Sequence, residues 1–424
     1  MGRTVWYVAT KRRAPAPLDP PSPAPALFRG SPAAFLHHPP VLVRGFRRIS
    51  PKGLIMSVHT IPEQRASAPV RQVAGLLDVR DKSAFIRAGH LPGPGDVRLT
   101  PEKVRQWDLR PGDHVTASFA GNKLVQVESV NGATSWRDRP EFDTLTPVHP
   151  AERLTIETES LSTRVIDLFA PIGKGQRGLI VAPPKAGKTM VLQALAAGIT
   201  RNHPEAHLMV LLVGERPEEV TEMRATIAGE VFSSTFDNPD HDHAALAELA
   251  IERAKRLVES GRDVVVLLDS LTRLGRAYNN LTPPGGRVLT GGIDARALYP
   301  PKRFFGAARN VEGGGSLTIL ATALVDTGSR MDNNLYEEFK GTGNMELHLV
   351  RELAERRLFP AVDLDASGTR REEILMRSSE QQVVWRLRRM LAALEKQQGL
   401  EILVDKLRST PSNAAFLLEA ANAA

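Results

Sequence analysis

The sequence contains no cysteine. This absence excludes disulfide bonds, a thiol nucleophile and a metal site built from thiolates, and it agrees with a reducing compartment such as the cytoplasm. No apolar run approaches the roughly 18 residues that a membrane-spanning helix needs, so we expect no membrane partner. Aromatic residues make up only 5% of the 424 residues, whereas 42% are hydrophobic and 24% are charged, a composition typical of globular proteins.

Positive charge is concentrated at the N-terminus. The formal net charge is +7, and the first sixty residues alone contribute +8, from nine basic residues against Asp19. The remainder is therefore nearly neutral, and nucleic-acid binding has to be argued from local sites rather than from overall charge.

Residues 1–66 are dominated by Pro, Ala and Arg and show no helical or strand period. Such a segment buries too little apolar surface to order itself, so we predict a disordered basic tail. Three interpretations remain open: a basic arm on nucleic acid, an Arg-rich transit peptide, or upstream sequence translated in error. Met56 offers an alternative start and favours the third.

Residues 67–135 are predicted to form a small β domain. Short apolar runs, separated by turns rich in Gly, Pro, Asp and Asn, predict five strands at 75–79, 84–87, 97–99, 114–119 and 123–127. A short helix is predicted at 101–106. This pattern indicates an OB-fold-like β-barrel, a common platform for single-stranded nucleic acid. It is equally compatible with a barrel that serves only packing.

Residues 136–160 are polar and aperiodic and predict a linker, after which strands and helices alternate over residues 161–424. Apolar runs predict buried strands at 178–181, 207–213, 231–236, 263–269, 316–324 and 345–350. Such runs separated by helices are typical of an α/β fold with a parallel sheet covered on both faces. Ligands of these sheets bind at the carboxyl ends of the strands.

The first of these strands leads into a candidate phosphate-binding loop. Residues 182–189 read Ala-Pro-Pro-Lys-Ala-Gly-Lys-Thr, and a helix is predicted from Met190 to residue 199. A loop between strand and helix turns backbone N–H groups toward one point, and the helix N-terminus adds its positive end. Lys188 would reach the outer phosphates and Thr189 would offer a hydroxyl to Mg²⁺. Ala182 stands where the general motif has glycine.

Two acidic residues follow other predicted strands. Asp269 ends the run 264–268 and is a candidate Mg²⁺ ligand. Glu215 follows the run 211–214 and is placed to polarise a water for attack on the γ-phosphate. Either residue alone would equally suit a helix cap or a surface ion pair, but two such acids beside a phosphate-binding loop favour catalysis.

Several arginines have both a functional and an ordinary interpretation. Phosphoryl transfer commonly needs an arginine at the γ-phosphate, often from another subunit, and the candidates are Arg351, Arg356, Arg357 and Arg370. Two Gly-rich loops, 283–292 and 326–330, each hold one arginine, which suits contact with a phosphate backbone. From the residues alone, each arginine could equally be a solvated surface charge.

Taken together, these motifs resemble the bacterial transcription termination factor Rho family. The residues that carry the resemblance are 182–189, 215–223, 268–273, 288–292, 303–310, 337–347 and 367–370. The resemblance implies a RecA-like P-loop ATPase domain with a parallel sheet, preceded by the barrel and the disordered tail. It also implies a cytoplasmic homohexamer that uses ATP and Mg²⁺, moves 5′ to 3′ along single-stranded RNA and releases it from RNA polymerase with the help of elongation factors.

The resemblance also implies site residues. Lys185 and Lys188 would contact phosphates, Thr189 and Asp269 would hold Mg²⁺, and Glu215 would activate water. Arg370 would be the arginine finger of the adjacent subunit, and Arg357 a second arginine near the shared nucleotide. Further ATP contacts would be Ala186, Gly187, Met190, Arg216 and Phe359, of which Met190 and Phe359 would pack on adenine. RNA would be held in a primary site by Phe85, Arg87 and Asp96. The pore loops would grip RNA through Arg287, Val288, Thr290, Gly291, Gly328 and Arg330.

Some positions depart from the family pattern. Gly214 stands where Asp is usual, and the helical subdomain that commonly precedes the barrel is not recognisable in residues 1–66. On the barrel, Ser83 replaces one stacking aromatic and Arg98 stands where Tyr is frequent. Since base stacking is worth roughly 1–3 kcal/mol per base, we expect weaker or broader recognition of cytosine-rich RNA.

Two other functions compete with this one. The run Val-Gly-Glu-Arg at 213–216 is similar to the catalytic subunit of rotary ATP synthases, but that class leaves the two Gly-Arg loops unexplained. The other is an RNA-binding hexamer that holds nucleotide structurally. The presence of Lys188, Glu215, Asp269 and Arg370 argues against it, because a structural site needs neither a water-polarising acid nor an arginine finger.

Overall fold

The structure is a computed structural model that describes residues 69–80 and 83–422, so the predictions for residues 1–66 lie outside the described residues. The strands are β1 (Val70–Arg80), β2 (Ser83–Arg87), β3 (Val97–Leu99), β4 (His114–Ala120), β5 (Lys123–Val130), β6 (Pro147–Val148), β7 (Arg177–Ala182), β8 (His207–Glu215), β9 (Glu230–Thr235), β10 (Asp263–Asp269), β11 (Val288–Leu289), β12 (Ile293–Asp294), β13 (Arg309–Val311), β14 (Ser316–Leu324), β15 (Met345–His348) and β16 (Gly368–Thr369). The helices are α1 (Pro101–Gln106), α2 (Leu161–Phe169), α3 (Lys188–Asn202), α4 (Pro217–Thr226), α5 (Asp240–Glu259), α6 (Leu271–Leu281), α7 (Tyr299–Gly306), α8 (Arg330–Lys340), α9 (Arg351–Glu355), α10 (Ser378–Leu391), α11 (Lys396–Arg408) and α12 (Asn413–Asn422).

The N-terminal domain contains all five predicted strands and the predicted short helix. Its antiparallel sheet has the order β3-β2-β1-β4-β5. Alternate residues of these strands face a core that includes Leu77, Ile86, Val115 and Phe119. In β4 buried residues alternate with half-buried ones because the core lies on one face of the strand, whereas Leu76 and Leu77 of β1 enter two different cores.

The C-terminal domain is organised around a larger sheet with the order β16-β15-β7-β14-β10-β8-β9. Its central strands are parallel. Alternate residues of one strand enter two separate cores: Ile180 and Ala182 of β7 enter one, and Leu179 and Val181 enter the other. Burial on both faces explains the continuous apolar runs and confirms the predicted α/β class.

The segment predicted as a linker, 136–160, is more structured than its composition indicates. Its strand β6 pairs with β13, which in turn pairs with β14 of the large sheet. Phe142 is buried, its backbone N–H donates to Glu259 Oε1 at 2.8 Å, and the Arg309 guanidinium lies 4.5 Å from the centre of its ring. Leu154 and Ile156 are buried as well, so these side chains and the pairing of β6 fix the segment, although they produce no regular sequence period.

The barrel contacts the ATPase domain through the turn between α1 and β4. At Gly112, φ is +80°, and a Cβ atom added there would lie 2.3 Å from the backbone nitrogen of Arg253 in α5. The neighbouring Asp113 is fully buried and paired with Arg139, and Arg110 pairs with Glu259 of α5. Among residues 69–80 and 83–422, no helix combines the length and hydropathy that crossing a membrane requires.

Candidate nucleotide-binding and RNA-binding sites

The phosphate-binding loop lies between β7 and α3, at the carboxyl edge of the sheet. Gly187 caps α3 and Lys188 is its first residue, two positions before the predicted start. Lys185 is exposed, while Ala186 is buried. The ring of Phe359 packs close to Gly187, since a Cβ added at that glycine would lie 3.4 Å from Phe359 Cε1. The structure therefore places Phe359 beside the phosphate-binding loop.

Lys188 contacts both predicted acids. Its Nζ lies 2.6 Å from Asp269 Oδ1 and 3.0 Å from Glu215 Oε1. Both acids end neighbouring parallel strands, β8 and β10, and both are buried. Burial, and then the nearby Asp269 carboxylate, raise the pKa of Glu215. Burial alone would lower the pKa of Lys188, but Asp269 and Glu215 raise it above its ordinary value. A buried glutamate with a raised pKa beside a phosphate-binding loop suits a general base.

Two further residues, to which the sequence assigns no role, contact the carboxylates of Glu215 and Asp269. Thr322 of β14 donates from Oγ1 to Asp269 Oδ1 at 2.8 Å. Arg273 Nε lies 3.4 Å from Glu215 Oε1. The buried strand β14 also contains Ser316 and Thr318, so the sequence alone does not single out Thr322. Thr322 fixes the Asp269 carboxylate, and Arg273 adds a second cation beside Glu215.

Gly214, which departs from the family pattern, makes room for Arg273. The register between β8 and β9 shifts between Val213 and Glu215, and Gly214 has φ +67°. A Cβ added there would lie 3.1 Å from Arg273 Cδ and 3.8 Å from His243 Nε2. A Cβ at this position would be in tight contact with the Arg273 side chain, which would have to shift slightly, so the glycine accommodates Arg273 beside Glu215.

The remaining predicted ATP contacts lie on the first turns of α3 and α4. Thr189 Oγ1 lies 3.4 Å from Glu219 Oε2, and Arg216 Nη1 lies 3.5 Å from Glu219 Oε1. Met190 is 54% exposed. The Thr189 hydroxyl and the Asp269 carboxylate are oxygen donors of the kind that Mg²⁺ prefers, and they suit an ion that also binds water and phosphate oxygens. In the described part of the chain, no group of three or more His, Cys, Asp or Glu forms a complete metal site.

The structure separates Arg370 from the loop of its own chain. Strand β16, which ends at Thr369, pairs with β15 so that Thr369 faces Met345, and Met345 in turn faces Gly178 of β7. Gly178 lies near the amino end of β7, whereas the loop follows its carboxyl end, roughly 13 Å further along the strand. Arg370 is exposed at this opposite edge. Arg357, by contrast, is exposed two residues before Phe359 in the same chain.

The two Gly-rich loops lie against each other. Asn334 Nδ2 donates to the Thr290 carbonyl at 2.7 Å, and a Cβ added at Gly291 would lie 2.9 Å from the carbonyl oxygen of Arg330. Arg287, Val288, Thr290, Gly328 and Arg330 are exposed. The structure therefore brings the two predicted pore loops together on one surface.

On the barrel, Phe85, Arg87 and Asp96 form a connected group. The Arg87 guanidinium lies 4.6 Å from the centre of the Phe85 ring and is 5% exposed. It pairs with Asp96 through Nη1 at 2.5 Å and with Asp78 through Nη2 at 2.5 Å. Burial would lower the pKa of Arg87, but these two carboxylates raise it. Arg87 is thus fixed beside Phe85 and is not a free surface cation.

Two family descriptions match the chain. Residues 73–135 match the RNA-binding domain of Rho termination factor, and residues 162–369 match the nucleotide-binding domain of the ATP synthase alpha/beta family. Among solved structures, the chain is similar to an ATPase of the type III secretion system of pathogenic bacteria, with a TM-score of 0.56 and 20% identity over 66% of this chain and 87% of that one. At this identity the likeness concerns the fold alone.

Curated relatives cover most of the chain. A protein of Streptosporangium roseum named transcription termination factor Rho is 72% identical over 360 residues, which are 84% of this chain and 94% of the relative. Proteins of the same name from Streptomyces lividans and Mycobacterium tuberculosis are 62% and 56% identical. They are longer, and the matches cover 51% and 62% of their lengths and 82% and 84% of this chain.

Proposed function

Because the chain belongs to the transcription termination factor Rho family, we propose that it is an RNA-dependent ATPase that moves along single-stranded RNA and terminates transcription. RNA binding and ATP hydrolysis follow from the two matched domains. The observation that carries the proposal is their combination in one chain with the cluster of Lys188, Glu215 and Asp269 at the strand ends. A rotary ATPase subunit is not favoured, because the N-terminal domain matches an RNA-binding domain.

In the proposed reaction, ATP binds with its phosphates at the N-terminus of α3. Lys188 neutralises the outer phosphates, and Lys185 and the backbone of residues 186 and 187 add further contacts. Glu215 accepts a proton from the attacking water, while the Arg273 guanidinium lies beside its carboxylate as a second cation. Thr189 and Asp269 would hold Mg²⁺, which supplies charge neutralisation on the phosphates when bound. Met190 and Phe359 would border the adenine. Arg216 and Arg357 would lie near the phosphates.

We further propose a homohexamer in which Arg370 reaches the nucleotide of the adjacent subunit. The support is its position at the sheet edge opposite the phosphate-binding loop, from which it cannot serve its own site. An arginine delivered across a subunit interface stabilises the charge that develops on the γ-phosphate.

Coupling between ATP hydrolysis and RNA movement is proposed to run through β14. Thr322 of this strand contacts Asp269, and the same strand leads directly into the loop that ends at Arg330. Asp332, two residues later, accepts hydrogen bonds from Thr327 and Arg276, so α6 and α8 are linked at the same place. The Arg287 and Arg330 loops would grip RNA in the pore, and Phe85, with Arg87 and Asp96, would bind it on the barrel.

The biological setting is proposed from the family: the protein acts in the cytoplasm on RNA polymerase, together with elongation factors. The direct test is steady-state ATP hydrolysis by the purified protein, alone and with poly(C), poly(U) or double-stranded DNA. We expect only the single-stranded RNAs to stimulate hydrolysis. The variant Lys188→Ala should show no stimulated hydrolysis, and it controls for contaminating ATPases. Turnover indifferent to every polymer would contradict the proposal.

A further inference from the structure

A buried histidine, His243, lies beside the proposed general base. It belongs to the first turn of α5 and is 7% exposed. Its Nδ1 atom is 2.8 Å from Oγ of Ser234, a buried residue of β9. β9 runs parallel to β8, and its last residue, Thr235, is paired with Glu215. His243 is therefore anchored next to the strand end that carries Glu215.

His243 and Arg273 approach Gly214 at the same point. A Cβ atom added at Gly214 would lie 3.8 Å from His243 Nε2 and 3.7 Å from Arg273 Nη1. The imidazole and the guanidinium thus border the same stretch of backbone, one residue before Glu215. Arg273 Nε in turn lies 3.4 Å from Glu215 Oε1. Arg273 is placed between the histidine and the general base.

The surroundings of His243 favour a neutral ring with a lone pair on Nε2. Burial lowers the pKa of His243; Asp240 and Asp242 oppose this shift, and the Arg273 guanidinium adds to it. A neutral imidazole carries its proton on one nitrogen only, and a neighbouring cation stabilises the tautomer whose lone pair faces it. Nδ1–H then donates to Ser234 Oγ, and Nε2 is an acceptor on the side of Arg273.

Arg273 lacks a second partner that would fix it beside Glu215. Its side chain is 41% exposed, and its buried Nε has no hydrogen-bond partner among residues 69–80 and 83–422. The separation of 3.4 Å from Glu215 Oε1 exceeds the roughly 2.7–2.9 Å of a charge-assisted hydrogen bond. An arginine held by one long contact keeps much of its rotamer freedom, so a further contact is needed to hold the guanidinium in one place.

We propose that His243 is a positioning residue that keeps the Arg273 guanidinium beside Glu215 during ATP hydrolysis. Its Nε2 lone pair accepts a hydrogen bond from Arg273 Nη1, directly or through one water. A cation fixed beside Glu215 favours the carboxylate, which is the form that accepts the proton of the attacking water. The proposal rests on the proposed function, in which Glu215 is the general base.

The test is a double-mutant cycle on ATP hydrolysis by the full chain with poly(C). His243→Ala and Arg273→Gln should each lower kcat by about tenfold, and because His243 acts through Arg273, the double variant should be no slower than Arg273→Gln. The KM for ATP should stay the same in His243→Ala, since the contact matters only in the catalytic step. A loss of about a hundredfold in the double variant, the product of two independent effects, would overturn the proposal.

Two further variants separate the lone pair from packing. His243→Gln places an amide oxygen near the position of Nε2, so it should restore most of the turnover that His243→Ala loses. His243→Phe keeps a ring without a lone pair, so it should be as slow as His243→Ala and should unfold at the urea concentration of the parent. His241→Ala is the matched control, because it removes an exposed histidine of the same helix and should leave turnover unchanged.

The outcomes distinguish this proposal from the proposed function. If RNA does not stimulate ATP hydrolysis by the parent chain, the proposed function fails and the role of His243 fails with it. If the parent is stimulated and His243→Phe retains its kcat, the positioning role is wrong and the proposed function stands. A higher KM for ATP at unchanged kcat in His243→Ala would also overturn the proposal, because it would mean that His243 supports ATP binding and not the catalytic step.

Discussion

The ATP site and the proposed RNA surfaces of this chain are built in opposite ways. Glu215 and Asp269 are buried at strand ends and share the Lys188 ammonium. Arg287 and Arg330 are exposed in or directly after the two Gly-rich loops. Chemistry needs groups held at fixed distances, which buried and mutually paired side chains provide. A polymer that must be gripped and released needs only accessible charge, so substitutions should change rates strongly at the first site and affinities moderately at the second.

Arg370 is the strongest test of this contrast, because it is exposed like the RNA arginines but is proposed to act in catalysis. We expect Arg370→Ala to lower ATP turnover by about 10³–10⁵-fold, the range for arginine fingers. ATP binding should change little, because the residue contributes to the site only as charge develops. Steady-state turnover and nucleotide affinity are the measurements.

Mixed assemblies decide whether Arg370 acts between subunits. Arg370→Ala chains mixed with Glu215→Gln chains, each inactive alone, should regain part of the activity, since some interfaces then combine an intact Glu215 with an intact Arg370. Arg377→Ala is a control that removes a nearby cation. Normal turnover by Arg370→Ala would remove the residue from the mechanism, and no recovery on mixing would contradict its action across an interface.

Glu215→Gln tests the buried ATP site. The amide keeps the shape of the side chain but cannot accept the proton of the attacking water, so we expect RNA-stimulated hydrolysis to fall by about 10²–10⁴-fold while ATP still binds. Glu222→Gln, an exposed residue of α4, is the matched control. Near-normal hydrolysis by Glu215→Gln would exclude Glu215 as the base.

The sequence predicts that Lys188, Glu215 and Asp269 lie close together, as they do, because these residues adjoin strands whose burial pattern is visible. Each acid follows a continuous apolar run, and the order of strand, loop and helix places the phosphate-binding loop at the same edge. Contacts made between distant segments are not visible in this way. The approach of Phe359 to Gly187, the contact of Arg273 with Glu215 and the pairing of Thr290 with Asn334 each depend on tertiary packing.

Some helices and short strands of the fold are also not visible in the sequence. The helices α10 to α12 and the pairing of β6 with β13 were not predicted, since short strands and half-buried helices carry weak periodicity. The RNA surfaces are hardest to recognise, because an exposed arginine in a loop looks the same in sequence whether or not it binds a ligand. Only the structure shows that Arg98 lies opposite Phe85 and that Arg87 is held by two acids.

Gly112→Ala tests how firmly the barrel is held on the ATPase domain. The added methyl group would meet the backbone of α5 at a residue that also has φ +80°, so we expect the free energy of unfolding to fall by about 2–4 kcal/mol. Gly121→Ala is the matched control, with φ +59° but no atom within 4 Å of the new Cβ, and should cost only about 1 kcal/mol. Urea denaturation measures both. Equal losses would mean that backbone conformation, and not docking on α5, accounts for the effect.

Arg330→Ala tests the exposed RNA-binding loops and should have the smallest effect of these variants. A hydrogen bond from a charged group contributes about 1.5–3 kcal/mol, so removing one such bond to the RNA backbone should weaken RNA-stimulated turnover or unwinding by about tenfold or somewhat more. The KM for ATP should remain unchanged, because the Lys188, Glu215 and Asp269 cluster is untouched. Arg408→Ala, which removes an exposed arginine of α11 paired with Asp405, is the control. If RNA-stimulated movement and nucleotide binding decline together in Arg330→Ala, the loop supports the ATP site and not the RNA, and the two regions are less separate than their architecture indicates.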